Sequence, residues 1–210
     1  MQDFDFSGYN NQLLKDIGDQ LSGGDDESLV AVMAELITNV EHTLAENLKP
    51  ADYEMMDCKA GCGTCCIVNV AVLDPEVVNI GKYLRSTCTV AELTTLKQSM
   101  RNLLVHICDL DEDERIATRK RCVFLTADGN CSIYPVRPLL CRAITSINAN
   151  DCLDSLAMQA LGEQIPVTMN LFQKSLFDVT YQALAAALAG VGLNDSSREL
   201  TAAVLAYLEG

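Results

Sequence analysis

Cys58-Lys-Ala-Gly-Cys62-Gly-Thr-Cys65-Cys66 places four thiols within nine residues, and the rest of the chain is read around this stretch. Thiolates packed so closely repel one another, and a soft cation that neutralises them is the natural way to hold them in one loop. Four more cysteines return downstream at Cys122, Cys131, Cys141 and Cys152. The first residues, Met1 to Ser7, have no positive region followed by a hydrophobic stretch, so neither a signal nor a transit peptide is expected. The expected compartment is a reducing cytoplasm, where this density of cysteine points to metal rather than to disulfides.

The spacing limits the kind of centre. Cys62-x-x-Cys65 has the geometry of a metal knuckle, in which a tight turn aims two sulfurs at one ion, and Gly61 and Gly63 ease that turn. A zinc finger built only from cysteines brings a second such pair. Here Cys122, Cys131, Cys141 and Cys152 are separated by eight, nine and ten residues. Iron-sulfur clusters accept ligands from one crowded loop together with remote positions, so the pattern suits a cluster, [4Fe-4S] first, as well as zinc. Eight candidate ligands also leave room for two centres. Cys58, Cys62 and Cys65 share the Cys-x3-Cys-x2-Cys spacing of radical S-adenosylmethionine enzymes. Thr64 stands where those enzymes usually carry an aromatic residue, and the strand-helix alternation of their barrel is missing.

The remainder reads as mainly helical. With 210 residues and 49% apolar composition, the chain can build a real core without help from a metal. Leu29, Val32, Met33, Leu36, Ile37, Val40 and Leu44 recur at the spacing of one helix face between Asp26 and Leu48. Asp74-Pro75-Glu76 predicts an N-cap followed by a helix through Val77, Val78, Ile80 and Leu84. Thr89-x-x-Glu92 and Ser196-x-x-Glu199 have capping-box spacing and predict two more helices. One short and one long helix are expected between Leu153 and Gly190, broken near Gly162 to Pro166. Asp128-Gly129 supplies the turn of a short β-hairpin flanked by Cys122 and Cys131, and Ile67 to Leu73 is expected to be extended. The fold class is therefore a helical domain with an irregular cysteine-rich centre and a short β-hairpin. The expected division is N-terminal helices over 1–50, a metal-binding region over 51–155 and C-terminal helices over 156–210. Charged Lys174 and Asp178 in the most apolar stretch argue for a buried helix rather than a membrane span. A formal net charge of -14 repels a phosphate backbone and argues against nucleic acid as a partner.

The cysteine stretch, followed by Val70-Ala-Val72 and Pro75-Glu76, resembles the YkgJ-type cysteine-cluster family, the CxxCxxCC proteins of bacteria. So do Cys122-Val-Phe-Leu125, Asp128-Gly-Asn-Cys131-Ser-Ile-Tyr134 and Arg137-Pro-Leu-Leu-Cys141-Arg142. Val123 departs from the family, where a proline often follows the equivalent cysteine. The resemblance covers roughly residues 55 to 155 and implies a module that chelates zinc or iron. Flagellin lysine N-methylases, which carry a similar cluster, suggest iron-sulfur as an occupant and a redox or group-transfer enzyme as an alternative activity. A zinc or iron delivery protein, or one that docks a protein partner, is a further alternative.

The expected ligands are Cys58, Cys62, Cys65, Cys66, Cys122, Cys131, Cys141 and Cys152. Vicinal Cys65 and Cys66 cannot both reach one small ion without strain. Arg137 and Arg142 are expected beside the centre, donating to sulfur and offsetting thiolate charge, or else paired with carboxylates. Cys88 and Cys108 are expected to be ordinary apolar thiols. His42 and His106 are not spaced to partner the cysteine loop, and no catalytic residue is indicated.

Overall fold

The computed structural model describes residues 4–21, 24–159 and 161–210. Part of the amino-terminal reading falls on residues 1–3, outside the described residues. In chain order the elements are α1 (Phe6–Gln20), α2 (Asp26–Asn47), α3 (Pro50–Glu54), β1 (Ala71–Val72), α4 (Asp74–Thr87) and α5 (Val90–Ile107). They continue with α6 (Glu112–Ala117), α7 (Leu139–Ala143), α8 (Ala149–Gln159), α9 (Leu171–Gly190), β2 (Arg198–Glu199) and α10 (Leu200–Glu209). The fold is mainly α, as the helical periodicity implies.

Two apolar cores form, and α4 serves both. In the first, Leu13 and Ile17 of α1 meet Val32, Leu36 and Val40 of α2 and Leu176, Leu184 and Leu188 of α9. In the second, Val77, Ile80 and Leu84 of α4 meet Met100 of α5, Val204 and Leu208 of α10, and Phe124 and Ile133 beside the hairpin. Val78, one residue along α4 from Val77, turns instead to the first core. Gly81 lets α4 and α10 approach closely, because an added Cβ there would collide with the Tyr207 ring. Among the described residues no helix is long and apolar enough to cross a membrane.

Local signals hold well at helix starts, with informative shifts. Thr89 caps α5, its hydroxyl accepting from Glu92 N while Glu92 Oε2 accepts from Thr89 N. The α4 cap moves from Asp74 to Leu73, because Glu76 Oε2 accepts the Leu73 amide at 2.9 Å. Asp74 instead binds Arg198 at 2.6 Å and Asn194 at 3.0 Å. Ser196 does not cap α10; Glu199 does, accepting from Ala202 N at 2.8 Å. The reason is long-range pairing, since Arg198 and Glu199 are drawn into an antiparallel ladder with Val72 and Ala71. The hairpin at Asp128-Gly129 forms with one isolated bridge, Leu125 to Cys131, and a Thr126 N to Asn130 O bond of 2.8 Å. Helix α6 went unread, although Asp111-x-x-Glu114 is a capping box.

Candidate metal centre

The cysteine loop is a succession of turns held by its neighbours. Cys62 N donates to Lys59 O at 3.0 Å and Cys66 N to Gly63 O at 3.2 Å, with Gly61 at φ +88° supplying the reversal. One end of the loop is fastened to the hairpin by Cys122 N donating to Cys66 O at 2.7 Å. At the other end Asp57 N donates to Ser146 O at 2.8 Å, and Ser146 N donates to Cys58 Sγ at 3.1 Å. The hairpin turn lies against the loop itself. Gly129, at φ +78°, approaches so closely that an added Cβ would stand 2.5 Å from Gly61 O.

Two overlapping groups of thiols result. Cys141, in α7, has the Cys122, Cys65 and Cys131 thiols within electrostatic range, together with Arg137. Burial pushes the Cys141 thiol up, lifts Cys131, and takes Cys122 up to about 11. Cys65 is raised first by its hydrogen bond with Cys66 and then by burial. The main-chain amides of Phe124 and Ile133 oppose the rise at Cys122 and Cys131. The second group surrounds Cys58, whose neighbours are Cys62, Cys152 and Cys65. Burial raises Cys58, while the Ser146 amide pulls the other way.

Cys88 and Cys108 stand apart from both groups. Cys88 packs half-buried against the second core. Cys108 is exposed beside Asp109, which corrects the expectation of an apolar thiol, because α5 ends there at the surface. His42 is exposed and pairs with Glu46 at 3.5 Å, and His106 is exposed as well.

Residues 57–159 match the family model CxxCxxCC, described as a "Putative zinc- or iron-chelating domain". The chain carries a CxxCxxCC domain. No curated protein and no solved structure matches the chain. The domain contains every cysteine of both thiol groups, whereas α1, α2, α9 and α10 lie outside the matched residues.

Within the CxxCxxCC domain the donor set suits a thiophilic metal. Burial keeps these thiols protonated until a bound cation displaces their protons. Among the described residues no three His, Cys, Asp or Glu side chains are already closed into a metal-holding cluster. The domain gathers the sulfurs without bringing them to ligating positions.

Arg137 and Arg142 both lie within electrostatic range of Cys131. Arg142, 6% exposed, donates to Glu41 at 3.0 Å, Arg137 O at 3.1 Å and Pro135 O at 2.8 Å. Those bonds are to a carboxylate and to carbonyls, so Arg142 braces the turn that precedes α7. Arg137 has Cys65, Cys131 and Cys141 within electrostatic range, lies 4.4 Å from the Tyr134 ring centre, and buries an Nε without a partner. Sequence reading missed Arg115, which is 2% exposed and has Cys122 and Glu199 as charged neighbours. Arg115 donates to Lys120 O at 2.6 Å, and its buried Nε also lacks a partner. It missed Glu76 too, whose Oε1 accepts from Leu139 N at 2.8 Å and so holds the first residue of α7. The capping signal placed Glu76 at a helix start, but nothing local revealed a bond across 63 residues.

Proposed function

We propose that the CxxCxxCC domain holds an iron-sulfur cluster, [4Fe-4S] by ligand number, on Cys65, Cys122, Cys131 and Cys141. The observation that supports this is the meeting of four thiols from the cysteine loop, the hairpin and α7 beside Arg137. Ligands scattered singly suit a cluster better than the paired knuckles of a zinc finger. Such a cluster supplies one-electron redox chemistry when bound. The amides of Phe124 and Ile133 and the Arg137 guanidinium favour the thiolate form, and Phe124, Ile133 and Leu139 are buried nearby in sequence.

The test is the visible spectrum and metal content of protein purified without oxygen. The expected sample is brown, absorbs broadly near ~400 nm, bleaches with dithionite and contains iron with acid-labile sulfide. Cys131→Ser/Cys141→Ser loses that absorption. A colourless sample carrying zinc in the wild type, lost in the same variant, replaces the cluster with a thiolate zinc site.

A further inference from the structure

Helix α8 spaces Leu153, Leu156 and Ala157 as one apolar face, yet none of its residues is buried and Leu153 is 55% exposed. The chain that returns from it is as open, with Leu161 75% exposed and Leu171, the first residue of α9, 70% exposed. Hydrogen bonds set these segments beside two others. Ile147 N donates to Thr168 O at 3.2 Å, Asn170 N to Thr145 Oγ1 at 3.0 Å, and Asp57 N to Ser146 O at 2.8 Å. At the start of α8, Ala149 N donates to Asp57 Oδ2 at 2.9 Å. Exposed Met55, Ile144 and Ile147 border the same seam. Large apolar side chains gathered on adjoining segments of a surface mark a contact site.

The charge around this seam has one sign. From Ala143 to Gln173 the chain carries Asp151, Asp154 and Glu163 and no Lys, Arg or His, and from Pro50 to Cys58 it carries Asp52, Glu54 and Asp57 and again no base. The bordering cations Lys59, Arg142 and Lys174 pair with Asp57, Glu41 and Asp178. We propose that α8, the return over 161–171 and the seam at 144–148 dock a partner protein through a segment that carries Lys or Arg around an apolar face. The apolar side chains supply the contact area, while the carboxylates select the partner's sign and speed its encounter. A second copy of the chain does not fit, because it would set these carboxylates against one another. An anionic lipid surface and a nucleic acid meet the same repulsion. The surface adjoins exposed Cys58, whose sulfur accepts from Ser146 N at 3.1 Å, so a docked partner stands at the edge of the thiol groups. Docking itself does not depend on which metal those thiols hold.

The experiment uses the full chain and, as probe, a synthetic amphipathic helix of Leu and Lys, with a Leu-Glu and a Ser-Lys peptide of the same length beside it. Binding is read by fluorescence anisotropy at low and high salt, and the contact is mapped by hydrogen exchange. The Leu-Lys peptide is expected to bind, less tightly at high salt, and to slow exchange over 144–171. Leu153→Ser/Leu161→Ser is expected to bind it about ten-fold more weakly, and Asp151→Asn/Asp154→Asn to bind it more weakly with a smaller salt dependence. Val90→Ser/Val105→Ser, at exposed apolar residues of α5, and Glu27→Gln/Glu46→Gln, at exposed carboxylates of α2, are expected to bind as the wild type. None of the substituted side chains is buried, and unchanged circular dichroism checks that each variant folds. Absence of binding, equal binding of the Ser-Lys or Leu-Glu peptide, or equal weakening in the α5 or α2 variants overturns the site. Self-association of the chain, or its binding to phosphatidylglycerol vesicles, that disappears in Leu153→Ser/Leu161→Ser gives the surface another occupant and overturns the basic partner.

Discussion

Glu76 shows how one residue can tie the fold to the candidate centre. Its carboxyl is 1% exposed and accepts from Leu73 N at the start of α4 and Leu139 N at the start of α7. Burial outweighs those two donors and takes its pKa from 4.5 up to about 7. A carboxyl raised in this way binds its proton more tightly in the folded chain than in the unfolded one. Its contribution is therefore fully favourable below pH 4.5 and falls as pH climbs to about 7. The loss across that window is about 3 kcal/mol, and it is complete above it. Glu76→Gln is expected to flatten this part of the stability-pH curve, measured by urea unfolding at several pH values. Glu76→Ala orphans two amides and is expected to cost about 2–4 kcal/mol at pH 5. An unchanged slope in Glu76→Gln would assign the pH dependence to other groups. At this scale the sequence showed which residues were thiols and caps. It did not show Arg115 or Glu76 at work, because their partners lie far along the chain or in the main chain.

Among the elements, the hairpin and the cysteine loop are one unit rather than two neighbours. Gly129 needs its left-handed backbone, and any Cβ there meets the Gly61 carbonyl. Gly162 has the similar φ of +80° but nothing within 4 Å of an added Cβ. The pair separates backbone strain from contact. Gly162→Ala is expected to cost about 1–2 kcal/mol in chemical denaturation, the ordinary charge for a left-handed alanine. Gly129→Ala is expected to cost more and to lower metal retention against a chelator, because it pushes the hairpin off the loop. Equal costs and equal retention would mean that the contact does not shape the centre. The elements themselves were legible where a periodic apolar face coincided with a capping residue, as in α2 and α5. Legibility failed where tertiary pairing competed, as at Ser196 to Glu199, where the ladder with Ala71 and Val72 displaced the cap.

For the whole molecule, the division of labour lies between packed helices and irregular chain. The helices of the first core carry their own hydrogen bonds and bury Leu13, Val40, Leu176 and Leu184 to 2% exposure or less. Among the described residues, the segments bearing the eight candidate ligands have turn bonds, one isolated bridge and the short helices α7 and α8, of which α8 buries none of its residues. Sequence periodicity could reveal the helices because their pattern is local. It could not partition eight thiols into groups, because Cys58 and Cys152 meet only after the chain has folded. That contrast fixes the response to metal removal. A formal charge of -14 already disfavours further negative charge, so thiolates left without a cation must reprotonate or separate. Turn bonds that depend on the loop then open first, since local opening follows low burial and sparse hydrogen bonding. Hydrogen exchange on the chelated chain should rise at 58–66, 122–131 and 139–152, while α1, α2 and α9 keep their protection. Equal loss of protection in the first core would mean that the metal sustains the whole fold rather than one region of it.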